Sequence, residues 1–413
     1  MHIETRKPGI LFIVENNNVP TDIRVWREAK TAKQAGYSVT IISPKTANFS
    51  KSYEVIDDIE IYRHSAIENK GGKINTLVEY ANAFYWEVLI SLRVFFRRRF
   101  HVIHGANPPD HIFLIALLFK LVGVKYIFDH HDLAPELYVH KYCGRKKMIY
   151  RLLSLMERFS CLTADAIVST NQSYKKHVIK RYGIKSEKIF IVRNDPEVPE
   201  IQKKDNCENY GSKQVAELLY MGSINNQDGV DLLTKVVHIL VEQLNQRQVH
   251  CTVVGDGDDL PRVKGLCTEL GINSFFTFTG YIYDRKLIRK YIEETDICLE
   301  TAPYSEVNCR STFIKVMEYM AAGKPIVAFD LEETRYSAQD SALLIEQGNL
   351  RAFAEAIEKL VCEPLLREEL GKHGQNRILR ELNWNNSSTE LMRTYEYVFG
   401  NGVFGFSMRG LKG

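Results

Sequence analysis

The segment Ser311 to Pro325, STFIKVMEYMAAGKP, sets one base and one acid on the first turns of an expected helix that leads into an apolar run, IVAFD. Lys315 and Glu318 stand three residues apart and so share a helix face. Ser311 and Thr312 stand where a helix start takes capping hydroxyls, and the first N–H groups of such a helix attract anions. The set suits a ligand with phosphates and a sugar diol, because a carboxylate accepts from two hydroxyls while an ammonium neutralises a phosphate. A plain amphipathic helix with a solvated Lys and Glu would carry the same residues, so the surrounding motifs must decide.

Other loops repeat the theme. Phe128 to Tyr138, FDHHDLAPELY, follows an expected strand and gathers Asp129, His130, His131, Asp132 and Glu136. An imidazole there can bond a sugar hydroxyl or carry a proton. Neighbours on a strand point to opposite faces, so only one of the two histidines faces a ligand and no metal is assigned to the pair. Gly222 to Asp231, GSINNQDGVD, has the form of a glycine-bearing phosphate loop after a strand, with Gly222, Ser223, Asp228 and Gly229 as candidate donor contacts. Gly255, Asp256, Gly257 and Asp258 close another strand. Asp256 and Asp258 have D-x-D spacing, but carboxylates also cap turns and helix starts, and no magnesium is assigned there.

The elements that must position these loops alternate. GILFIVE, YSVTIIS, FHVIHG, KYIFDH, ADAIVST and EKIFIVRN in the first half, and AELLYMG, HCTVVGDG, SFFTFTG, TDICLET, KPIVAFD and SALLIEQ in the second, are short β-rich runs separated by helical stretches such as Ile23 to Gln34. Apolar strands alternating with helices imply parallel sheets covered on both faces. A chain of 413 residues suits two such domains. The polar stretch DPEVPEIQKKDNCENYGSKQ, with Pro196 and Pro199, is the natural linker. The expected architecture is α/β: residues 1–200 and 201–380 as doubly wound domains facing each other across a cleft, with 381–413 as a C-terminal helix and tail.

Composition is that of an ordinary globular protein, with 45% hydrophobic and 25% charged residues. The eight cysteines are scattered without a C-x-x-C pair, as reduced thiols would be. The apolar run Ile10 to Val14 is too short for a signal sequence, and Ile112 to Val124 is too short to span a bilayer, which points to the cytoplasm. The net charge of +3 conceals an asymmetry: 30 Lys and Arg against 21 Asp and Glu up to residue 200, then 24 against 30. In the basic half, Phe84, Tyr85, Trp86, Leu89, Ile90, Leu92, Phe95 and Phe96 run into Arg97 to Arg99, and Lys141, Arg145, Lys146, Lys147 and Arg151 form a second run. Arginines interleaved with aromatics fit the surface of an anionic membrane or, equally, a core helix with a solvated end. No nucleic-acid motif accompanies the charge.

Taken jointly, Asp22 to Pro44, Asn107 to Asp110, FDHHDLAPELY, VRND at Val192 to Asp195, MGSINNQDGVD, VVGDGD and Ser311 to Ser337 resemble glycosyltransferase family 4 of the bacterial polysaccharide-assembly type, over nearly the whole chain. The resemblance implies the GT-B fold of two Rossmann-like domains, with a last helix, including Trp384, Leu391, Tyr395 and Val398, that returns to the N-terminal domain. It implies a retaining transferase that moves a sugar from a nucleotide diphosphate to a hydroxyl, usually of a lipid-linked glycan at the inner membrane surface. No cofactor and no bound metal are implied. Glu318 matches the second glutamate of the family's E-x7-E motif, the ribose contact, and Arg310 occupies the first position. The usual phosphate-binding Arg and Lys fall at Ser223 and Asp228, which are not basic. Lys315, with Arg310 and the N–H groups of Ser311 and Thr312, is expected to supply the missing charge. His131 matches the histidine of the H-D motif and is expected to contact the donor sugar, with Asp132 orienting it. The altered positions leave room for a non-catalytic partner of another transferase, and the fold for a nucleotide-sugar epimerase.

Overall fold

The structure, a computed structural model, describes residues 8–65, 73–142, 147–196 and 215–400. The chain divides into two units, Met1–Arg193 with Ser387–Gly413, and Asn194–Asn386. Residues 197–214 of the linker and 143–146 of the second basic run lie outside the described residues.

Unit 1 is built on eight strands: β1 (Gly9–Val14), β2 (Ser38–Pro44), β3 (Tyr53–Ile56), β4 (Ile59–His64), β5 (Val102–Ala106), β6 (Lys125–His130), β7 (Ala166–Ser169) and β8 (Ile189–Ile191). They lie in the order β3-β4-β2-β1-β5-β6-β7-β8. The entirely apolar β1 is buried along its length between β2 and β5, as a strand covered on both faces must be. One part departs from the expected parallel pattern: β3 pairs antiparallel with β4. Asp57 and Asp58 between them sit at φ 50° and 57°, the pair of positive angles a two-residue hairpin needs. Without glycine, Asp-Asp gives a weak hairpin signal, and this hairpin is absent from the sequence reading.

The helices of unit 1 are α1 (Ile23–Gln34), α2 (Lys73–Arg97), α3 (Ile112–Lys120), α4 (Ala134–Tyr142), α5 (Lys147–Thr163) and α6 (Gln172–Tyr182). Asp22 caps α1 by accepting from Val25 N–H at 3.0 Å. Leu11, Ile13, Ile103, Tyr126, Phe128 and Ile167 form the centre of the core against α2, α3 and α5.

Unit 2 holds a second sheet, β9 (Ala216–Met221), β10 (Val249–Val254), β11 (Phe276–Gly280), β12 (Ile297–Glu300), β13 (Ile326–Phe329) and β14 (Ala342–Ile345), in the order β11-β10-β9-β12-β13-β14. All its neighbours pair parallel. Around the sheet stand α7 (Val230–His238), α8 (Leu260–Glu269), α9 (Arg285–Glu294), α10 (Glu306–Arg310), α11 (Ile314–Ala321), α12 (Glu332–Ala338), α13 (Leu350–Cys362) and α14 (Pro364–Arg380). The last helix, α15 (Trp384–Phe399), joins unit 1 from Ser387 onward. There the Tyr395 hydroxyl meets His104 Nδ1 at 2.9 Å, and Tyr397 packs on Phe190. The expected return of the C-terminal helix is therefore present.

The switch point of the parallel strands falls between β9 and β12 in unit 2 and between β1 and β5 in unit 1. Loops leaving the carboxyl ends of such strands diverge and open a crevice, the usual ligand position in doubly wound sheets. Among the described residues no helix is long and apolar enough to cross a membrane.

Candidate functional site

At the switch point of unit 2, backbone meets backbone. A Cβ on Gly255 would stand 1.8 Å from the Gly222 carbonyl, one on Gly257 2.3 Å from the Ile224 carbonyl, and one on Gly229 2.0 Å from the Thr301 carbonyl. Side chains at these positions would force the loops after β9, β10 and β12 apart. Lys315 Nζ comes within 3.0 Å of the place a Cβ on Gly222 would take, so the ammonium rests on the glycine loop itself.

Lys315 does not project freely. Its Nζ lies 2.8 Å from Glu300 Oε2 and 4.1 Å from the centre of the Tyr220 ring. Burial would lower its pKa, but Glu300 and Tyr220 raise it, and the group stays an ammonium. The second oxygen of Glu300 accepts from Ala302 N–H at 2.9 Å. Burial raises the Tyr220 phenol, whose hydroxyl donates to the Ser223 carbonyl at 3.0 Å. Glu300 and Tyr220 were not among the expected site residues. Their signal was a polar group in the last two positions of an apolar strand, the end that faces ligands.

The other expected residues of this unit take the following places. Neither Ser311 nor Thr312 holds the N-cap position of the helix of Lys315. That helix, α11, begins at Ile314 with Phe313 in the cap position, while Ser311 ends α10 and its hydroxyl donates to the Val307 carbonyl at 2.9 Å. The short helix α10, begun by Ser305, already uses the residues before Ser311 and forces an extended link. Arg310 pairs with Glu306 on its own helix. Glu318 lies 3.2 Å from Arg285 of α9. Asp228 closes a capping box by accepting from Asn225 N–H at 2.9 Å, and burial raises its pKa. Asp256 accepts from Gly257 N–H at 2.8 Å, the turn-capping role a carboxylate there can take. Asn308 joins the loops by donating to the carbonyls of Gln227 and Pro303 at 3.0 and 2.8 Å.

At the carboxyl ends of β5 and β6 in unit 1, Asn107 uses both sides of its amide. Its oxygen accepts from the N–H groups of His131 and Asp132 at 2.8 and 3.0 Å, and its nitrogen donates to Asp110 and the Asp132 carbonyl. This fixes the backbone beneath His131. The ring of His131 is held by Asp129, 3.3 Å from Nδ1, and not by Asp132 as expected. Asp129 lies two residues earlier on the same strand face, whereas the next residue turns away. His130 turns to Glu157 of α5 at 2.8 Å. Burial works against charge on His131, and Asp129 restores it, raising the pKa.

Beneath this sits a buried network. Arg24 of α1 meets Asp129 at 2.7 and 2.9 Å, Glu28 at 3.1 Å and the Val192 carbonyl at 2.9 Å. Burial alone would raise the Asp129 carboxyl, but Arg24 and His131 hold it well below the usual range. Burial pushes Glu28 up to about 8 and His104 down to about 4. Arg24 and Asp129 thus remain the ion pair, and burial favours the neutral forms of Glu28 and His104.

A model of glycosyl transferases group 1 matches residues 216–363, and a model of glycosyltransferase family 4 matches residues 23–194. An uncharacterised glycosyltransferase of Methanocaldococcus jannaschii is 24% identical over 88% of this chain and 91% of its own. A lipopolysaccharide core biosynthesis glycosyltransferase of Rhizobium meliloti is 24% identical over 35% of this chain and 41% of its own. Among solved structures, sucrose-phosphate synthase from Thermosynechococcus elongatus has a TM-score of 0.76 at 17% identity, covering 95% of this chain and 99% of that one. The Anabaena protein HepE in complex with UDP-glucose has a TM-score of 0.70 at 12% identity, covering 94% and 99%. With two glycosyltransferase models matching residues 23–194 and 216–363 in succession and the GT-B fold shared over 95% of the chain, this protein belongs to glycosyltransferase family 4.

Proposed function

We propose that the protein transfers a sugar, with retention of configuration, from a nucleotide diphosphate to a hydroxyl of a lipid-linked glycan in polysaccharide assembly. The observation that carries the donor half is the ammonium of Lys315, held against the Gly222 loop by Glu300 at the switch point of unit 2. Charge that builds on the departing diphosphate needs preorganised donors, and each such donor contributes about 3 kcal/mol to transition-state stabilisation. Lys315 is a cation held in place with N–H groups to spare beyond the Glu300 contact. Glu318 takes the ribose hydroxyls, exchanging its exposed contact with Arg285 for them. The sugar contact falls to His131, whose ring Asp129 holds. HepE binding UDP-glucose and the Rhizobium relative in lipopolysaccharide core synthesis support a uridine-type donor and a lipid-linked acceptor.

The acceptor half rests on unit 1, where α2, α3 and α5 pack side by side with apolar groups turned outward. Phe96 is 83% exposed and Leu121 86%, Tyr85, Leu118 and Leu152 are also exposed, and so are Arg93 and Arg97 to Arg99. Aromatics among arginines suit an anionic bilayer and support a peripheral position on the cytoplasmic membrane face. A thermal-shift screen with UDP- and GDP-sugars, followed by transfer to a lipid-linked acceptor and NMR of the product anomer, tests the reading. Stabilisation by one donor and a product with the donor's anomeric configuration are expected. An inverted product, or donor conversion without acceptor, would overturn it.

A further inference from the structure

Among the described residues, three groups each bring one histidine and two carboxylates within 4.8 Å of one another. Two are already neutralised by a guanidinium. Arg24 lies against Glu28 and Asp129 in the first. In the second, which contains Glu136, Glu157 and His177, Arg181 pairs with Glu136 and stands 3.2 Å from His177 Nε2.

The third, Glu15, Glu87 and His111, is different. Among the described residues no lysine or arginine comes within ion-pair distance of either carboxylate. Glu87 lies on the buried stripe of α2, between Ala83 and Ser91, and is 0% exposed. Neither of its oxygens has a hydrogen-bond partner among the described residues, and its approach to His111 Nε2 is 3.6 Å, beyond hydrogen-bond length. Glu15 Oε2 stands 3.1 Å from the same nitrogen, again without hydrogen-bond alignment. When Nε2 gives up its proton, the lone pairs of all three atoms converge on one point. A tetrahedral zinc ion with donors at about 2.0–2.1 Å sets its ligand atoms about 3.3 Å apart, between the two distances seen.

Position agrees with this chemistry. Glu15 directly follows β1 and His111 directly precedes α3 after β5, so both stand at the switch point of unit 1. Both are partly exposed, which gives an ion a way in. The geometry points to a divalent transition-metal site, zinc the best fit, formed by Glu15 Oε2, Glu87 Oε2 and His111 Nε2. One imidazole and two carboxylates make three protein ligands, and the open fourth position takes an oxygen from water, a hydroxyl or a phosphate. Bound there, the ion fastens α2 to the carboxyl edge of the sheet.

The test uses the full chain stripped of metal. Competition against a chromogenic zinc chelator is expected to give one tight zinc ion per chain, with Mg²⁺ at least a hundredfold weaker. Glu87→Gln and His111→Gln should each weaken zinc at least tenfold, while Asp256→Asn leaves it unchanged. Glu15→Gln serves in their place where either fails to fold, and Co²⁺ bound to the wild-type chain should show visible bands of nitrogen and oxygen coordination without a thiolate band. No stoichiometric zinc, thiolate coordination through Cys309 or Cys362, or equal zinc affinity in the variants would overturn the site and leave His111 as an imidazolium between two carboxylates.

Discussion

Lys315 keeps its charge where burial opposes it, and Glu300 is the reason. Removing the lysine alone leaves an unpaired buried carboxylate, which typically costs about 3–5 kcal/mol. Lys315→Met is therefore expected to unfold at lower denaturant concentration, and the double variant with Glu300→Gln to recover most of that loss. Donor affinity in the double variant should stay at least tenfold below wild type by calorimetric titration. If it binds donor normally, the phosphate role of Lys315 is lost. Glu28 supplies a pH effect. Its folded pKa of about 8 lies above the ordinary glutamate value, so the folded state holds an extra proton between about pH 4.5 and 8. Stability from this group is present below that window and falls as pH rises through it, by at most about 1.4 kcal/mol per pH unit. Denaturation of wild type and Glu28→Gln across pH 5–8 should show the difference closing in that direction.

At the scale of elements, α15 is anchored by a hydroxyl. Tyr395 is buried, touches Tyr37 and reaches His104, whose own burial keeps it neutral. Tyr395→Phe keeps the ring and removes the bond, so a loss of about 1–2 kcal/mol is expected in urea unfolding. The outward face of α2 leads to a second outcome. Replacing Phe96 and Leu89 with Ser and Arg97 to Arg99 with Gln should abolish co-sedimentation with vesicles containing phosphatidylglycerol, and leave donor binding intact. The strands other than the β3–β4 hairpin were legible because buried parallel strands are continuous apolar runs. The start of α11 was not, because a neighbouring five-residue helix had already taken Ser311.

At the scale of the molecule, each unit has its own sheet and its own apolar core. In unit 2 the Asp256 carboxylate of the D-x-D pair caps its own turn by accepting from Gly257 N–H, and the backbone N–H of Asp258 donates to Asn225. The cation proposed for the diphosphate is a lysine. Transfer measured after exchange into magnesium-free buffer should therefore match the rate with magnesium restored, and a strict magnesium requirement would contradict the donor chemistry proposed above.

Periodicity and the joint motifs of the chain were sufficient for the family and for two doubly wound domains, because apolar strand runs and glycine loops are local properties of sequence. Partners were decided only by the fold. Lys315 and Glu300 are fifteen residues apart, Arg24 and Asp129 more than a hundred, and Glu87 lies within α2 while His111 stands in the turn before α3. Whether a carboxylate is a ligand, a counter-ion or a cap depends on which charge the tertiary structure brings within about 4 Å of it, and chain spacing does not encode that distance.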